Sequence, residues 1–183
     1  PTPTVVSTPT PEPTPTPIPN SEVIHGVVVV GPSDLRQRTR EALDILWPTQ
    51  WHEFVTNRLA KVVLFDELVG APYAGVAPDP TNLSMGIYWV SRNRAFVYDV
   101  SDTADADDSR HSYACGFVHE AKHVDQWRRG RQPGTPSAES EMDAISAQIN
   151  CLQETGAEQW MIQLYVEFNA CIAAGGCRSW KQP

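Results

Sequence analysis

The chain has 183 residues, of which 41% are apolar and 20% charged, the size and make-up of one soluble globular domain with room for a tail. Its net charge of -8 argues against a nucleic-acid binder, because neutralising phosphates takes clustered Lys and Arg. No apolar run approaches the roughly 18 residues that a membrane span needs.

Eight of the sixteen prolines fall within Pro1–Pro19, interleaved with threonines such as Thr2, Thr8 and Thr14. Such a segment favours extended, polyproline-like conformations and cannot build a core. Residues 1–20 are therefore expected to be a disordered linker and residues 21–183 the folded domain. Pro/Thr spacers of this kind resemble those that hold exported bacterial domains away from a membrane or wall anchor. The chain is accordingly expected outside the cell, with a surface tether through this linker.

Val23 to Gly31 reads as one strand, stopped by Gly31-Pro32. A helix follows from about Ser33, with Leu35, Leu43 and Leu46 at near-helical spacing. Pro48 interrupts it, and a second helical stretch runs from about Trp51 to Leu59. Lys61 to Phe65 is a strand, and the Pro/Gly/Ala-rich stretch 70–82 a loop. Met85 to Val90 and Ala95 to Val100 are aromatic and β-branched and read as a hairpin. Ser101 to Ser109 carries Asp102, Asp105, Asp107 and Asp108; without EF-hand spacing it reads as a solvated loop that caps the next helix.

Three helices complete the chain: about Arg110 to Arg129, from a Thr135-Pro136 cap to about Thr155, and about Glu158 to Ala173. The basic group Arg128, Arg129 and Arg131 suits the first one's C-terminus, where cations meet the negative end of the dipole. The four cysteines, Cys115, Cys151, Cys171 and Cys177, have no CxxC spacing, so a cysteine zinc site is improbable. They allow three pairings. The preferred one joins Cys171 to Cys177 across a Gly-containing loop and Cys115 to Cys151 between two helices.

The chemistry lies in Phe117-Val118-His119-Glu120-Ala121-Lys122-His123-Val124, an HExxH sequence in an apolar, helix-compatible stretch. Residues four apart on a helix project from one face, so His119 and His123 can share one Zn²⁺ at roughly 2.0–2.1 Å. Glu120, beside the first histidine, can lean over the metal and act as general base toward water. Catalytic zinc takes three protein ligands, and no histidine follows His123. The third must be Glu139 or Glu141. Taking Ala138, Met142, Ile145, Ile149 and Leu152 as the buried stripe, Glu141 lies roughly 50° from its centre and Glu139 roughly 110°. Glu141 is preferred. Glu139 stays open because Asp143, one turn later, could orient it.

The order of hairpin, HExxH helix, short link and glutamate helix, over about Met85 to Thr155, resembles the gluzincins, the zinc peptidases typified by thermolysin. The run His119 to Gln126 also resembles the HExxHVxQ signature of small bacterial zinc-peptidase domains. The resemblance implies an α+β, zincin-like fold: a small mixed β-sheet whose edge strand lies over the HExxH helix, with a helical C-terminal part. It implies His119, His123 and Glu141 as ligands and Glu120 as base, with Met85 to Val90 in the place of the strand that pairs with extended substrate. Two departures stand out. There is no room for a large C-terminal helical subdomain, and the aspartate expected four residues after Glu141 is Ile145.

The expectation is a secreted, monomeric zinc endopeptidase acting on peptide or protein substrates. A rival is a tethered binding module with structural zinc and no activity. A third is a wall- or carbohydrate-associated domain, which would need Trp127, Trp160 and Trp180 exposed in a row. For an oxyanion donor, Tyr88, Tyr113, Tyr165 and His111 remain open.

Overall fold

A computed structural model describes residues 20–31, 33–59, 61–65, 86–89, 94–98, 106–130 and 137–177. The Pro/Thr linker, the stretch 70–82, most of the acidic loop and Trp180 lie outside the described residues. The chain is α+β, mostly helical, with a small mixed sheet.

The apolar run expected as one strand is two. Strand β1 (Ser21–Ile24) and strand β2 (Val27–Val30) pair antiparallel around His25-Gly26, with Ile24 opposite Val27. Both turn residues have positive φ, 47° and 83°, the two-residue geometry that matches the twist of the flanking strands. Glycine accepts that conformation freely, whereas His25 does so only under the constraint of the hairpin. Val27 and Val29 are buried while Val28 and Val30 are partly covered, the alternation of a strand with one face on the core.

Helix α1 (Ser33–Leu46) buries Thr39, Ala42, Leu43 and Leu46 and carries the chain across to strand β3 (Lys61–Phe65), which lies parallel to β2. A helical crossover of this kind is what parallel strands require. Between them, helix α2 is shorter than expected, Trp51–Thr56, and Thr49 bonds back to the carbonyl of Leu46. Strand β5 (Arg94–Tyr98) adds parallel to β3, and strand β4 (Gly86–Trp89) pairs antiparallel with β5 at the margin of the sheet. The order is β1-β2-β3-β5-β4, so the expected hairpin is present and β4 is at the edge among the described strands.

Helix α3 (Ala106–Arg128) starts earlier than Arg110, taking in part of the acidic segment. It touches α1, α2 and β4 as well as helix α4 (Ala138–Thr155), and Ala114, Phe117, Val118, Ala121 and Val124 are buried along it. Helix α4 is capped by Ser137, not Thr135: the Ser137 hydroxyl accepts from the Ser140 N–H at 3.2 Å, a bond that satisfies one orphan donor of the first turn. At its other end Gly156 sits at φ 78°, the left-handed stop that glycine permits. Helix α5 (Gln159–Ala173) then packs back on α4, burying Met161, Ile162, Tyr165 and Ile172.

Both expected disulfides are present. Cys115–Cys151 joins α3 to α4, and Cys171–Cys177 closes the end of α5. No helix among the described residues is long and apolar enough to cross a membrane.

Candidate metal centre

Helices α3 and α4 run antiparallel in one continuous register. His111 meets the Thr155 carbonyl, Cys115 is bonded to Cys151, and Gln126 reaches Ser140. Cys115, His119 and His123 follow one another at intervals of four along α3, so all three project toward α4. Glu141 is one turn before buried Ile145 on the facing helix.

This register brings His119, His123 and Glu141 together. The two Nε2 atoms are 3.0 Å apart, and each is 3.5 Å from a different oxygen of the Glu141 carboxylate. The three are the group among the described residues whose ligand atoms all approach closely enough to hold a metal. Tetrahedral zinc with bonds of roughly 2.0–2.1 Å places its ligand atoms about 3.3–3.4 Å apart. The Nε2–Nε2 separation and the nearest approach of each ring to the carboxylate lie either side of that value, so the donor set is one that could hold zinc. Glu139 is exposed and outside this group.

The electrostatics are those of a tightly coupled cluster. Glu120 is only 6% exposed. Its pKa is raised by burial, against the pull of His119 and His123, while Glu141 raises it further. For Glu141, burial acts to raise the pKa, but the two histidines outweigh it and hold the carboxyl well below the usual range. Burial acts to lower the pKa of His123. Hydrogen bonding to Glu141, the charges of Glu120 and Glu141, and the Gln126 contact outweigh that and push it up to about 9. Two carboxylates therefore face two imidazoles in a poorly solvated space. The proton held on His123 offsets the Glu141 charge, and a divalent ion that displaced that proton would supply the same compensation.

Behind the histidines lies a polar network that periodicity alone does not reveal. The Gln126 side-chain oxygen is 3.1 Å from His123 Nδ1, and its nitrogen donates to the Ser140 carbonyl at 2.8 Å and to Asp143 at 3.1 Å. Lys122 pairs with Asp143 at 3.2 Å. Asp143 thus connects to the site through Gln126. The spacing of Gln126 three residues after His123, within the HExxHVxQ run, was the available signal.

The described candidates for an oxyanion donor are engaged elsewhere. Tyr113 hydrogen-bonds Thr39 of α1 at 2.9 Å, Tyr165 hydrogen-bonds Ser112 at 2.7 Å, and His111 meets the Thr155 carbonyl at 3.1 Å. At 1.5 Å rise per residue, His111 and Ser112 lie more than about 10 Å along α3 from His119. The Tyr88 side chain is outside the described residues. Trp127 and Trp160 are exposed, but Trp127 is at the Ser140 end of the helical layer and Trp160 at the opposite end, so they form no row.

Comparison with known proteins returns nothing: no family model, curated protein or solved structure matches the chain.

Proposed function

We propose that the chain is a secreted zinc-dependent endopeptidase of the HExxH type, with zinc held by His119, His123 and Glu141. The observation that carries this reading is the convergence of the donors: the two Nε2 atoms lie 3.0 Å apart, and each is 3.5 Å from its own oxygen of the Glu141 carboxylate. Bound there, zinc supplies Lewis acidity, lowering the pKa of water and polarising a carbonyl. Glu120 would be the group that takes a proton from the attacking water and returns it to the leaving nitrogen. Burial, by raising its pKa, moves its proton affinity toward that of a base working near neutral pH. The side of strand β4 that has no partner strand among the described residues, on an element that touches α3, would offer main-chain donors and acceptors to an extended peptide. The resemblance to zincins supports the same assignment of roles, and two disulfides with no free cysteine among the described residues are compatible with an oxidising, extracellular setting.

A second reading is a surface-tethered binding module with structural zinc. It draws on one observation: the described oxyanion candidates are committed to other bonds. A buried Glu120 is a costly feature that a purely structural site has no use for, which favours the peptidase.

The deciding experiment combines zinc analysis with digestion of a peptide library by the wild type and Glu120→Gln. Stoichiometric zinc in both, with cleavage by the wild type alone, is expected. Zinc in both without cleavage by either transfers the case to the binding module.

A further inference from the structure

Gln126 is buried on the α3 ridge that faces α4, and every polar group of its side chain is used. A carbonyl oxygen and a carboxylate can only accept. The amide nitrogen, which donates to Ser140 at 2.8 Å and Asp143 at 3.1 Å, therefore has its orientation fixed by them. Asp143 is held in turn by Lys122. The amide oxygen is left facing His123 Nδ1 at 3.1 Å, where it can accept only from an N–H. A neutral ring with its proton on Nδ1 has a bare lone pair on Nε2, and that atom points at His119 Nε2 and Glu141. His119 is supported differently, since its Nδ1 is buried with no hydrogen-bond partner among the described residues.

We propose that Gln126 is the positioning residue of the metal centre, fixing the tautomer and ring angle of His123 while tying that ring to the turn of α4 that carries Glu141. The proposal rests on the zinc reading of His119, His123 and Glu141. Outer partners of a ligating histidine commonly serve both ends. Here one neutral amide bridges the two helices that supply the ligands. Ser140 adjoins Glu141 in the chain, so a shift of the Gln126–Ser140 bond moves the carboxylate relative to the imidazoles.

The test uses the full chain as wild type, Gln126→Leu and Gln126→Glu, with zinc affinity from chelator competition and Tm from far-UV circular dichroism. Gln126→Leu removes the acceptor, and its zinc affinity is expected to fall about 10- to 100-fold. Gln126→Glu keeps an acceptor for Nδ1–H but sets a carboxylate against the Ser140 carbonyl and Asp143. It should lose Tm yet hold zinc within a few-fold of wild type. In zinc-loaded wild type, long-range ¹H–¹⁵N spectra should show His123 bound through Nε2 with a hydrogen-bonded Nδ1–H, a signal that Gln126→Leu shifts or loses. Affinity that follows Tm across both variants, or an unchanged affinity in Gln126→Leu, overturns the positioning role while leaving the zinc reading intact. Wild type that binds no zinc overturns both.

Discussion

Cys115 is bonded to Cys151 one helical turn before His119, so the covalent link between α3 and α4 adjoins the group that spans the same two helices. The bond closes a sequence separation of 36, against 6 for Cys171–Cys177. Loop-closure entropy predicts about 4 kcal/mol of stabilisation for the first and about 2 kcal/mol for the second. The double variant Cys115→Ser/Cys151→Ser should therefore lose clearly more stability in urea unfolding than Cys171→Ser/Cys177→Ser. It should also bind zinc more weakly, because the helix register then rests on non-covalent contacts alone. Equal losses from the two double variants would argue against this account.

Zinc at a hundredfold excess over its dissociation constant should raise stability by about 2.7 kcal/mol, since only the folded chain presents the three donors together. Scanning calorimetry with and without a chelator measures this. His119→Ala, His123→Ala and Glu141→Gln should each remove most of the shift, and Glu139→Gln should leave it in place. A loss in Glu139→Gln equal to that in Glu141→Gln would reassign the third ligand.

Proton release follows from the state of His123. With the metal-free ring raised to about 9, His123 is mostly protonated at pH 7 and must shed that proton to coordinate. Titration calorimetry in buffers of different ionisation enthalpy should find close to one proton released per zinc at pH 7. The same shift sets the pH dependence of the metal-free protein. A histidine raised above its unfolded value of about 6.5 contributes stability fully present below that pH and lost as pH rises through about 9. Thermal melts of chelated protein should therefore decline across that window, and a flat profile would contradict the ion pair with Glu141.

Replacing Glu120 by Gln separates stability from chemistry. The buried carboxylate has its pKa raised by desolvation, so ionising it at neutral pH costs the metal-free fold. Glu120→Gln should melt higher than wild type in chelator at pH 7, still bind zinc, and cleave nothing. A lower Tm in that variant would show that the carboxylate contributes more through bonds than it costs by burial.

The HExxH helix, the β4–β5 hairpin and both disulfide pairings were legible because each is encoded locally, by residue type and spacing. Phase on α4 also placed Glu141 inward, although the buried face is rotated from the expected stripe: Ala138 is exposed, while Ser140, Ala144 and Gln148 are buried. Hydrophobicity gives polar residues no weight as core, so Ser140 and Gln148 could not be read that way. The His25-Gly26 reversal escaped because histidine at positive φ is uncommon and the flanking valines read as one continuous strand. Ser137 displaced Thr135 as the cap, since hydroxyls two residues apart compete for the same role and only the fold chooses. The Gln126–Asp143 connection depends on the α3–α4 register, which no single-helix pattern contains.

All of the side chains discussed at the centre, from His119 through Gln126 to Asp143, fall inside the ring that the Cys115–Cys151 sulfurs complete. A single proteolytic nick between α3 and α4 would thus leave both halves of the centre on one covalent molecule. Such a clip would be survivable, because the severed ends remain tethered beside each other.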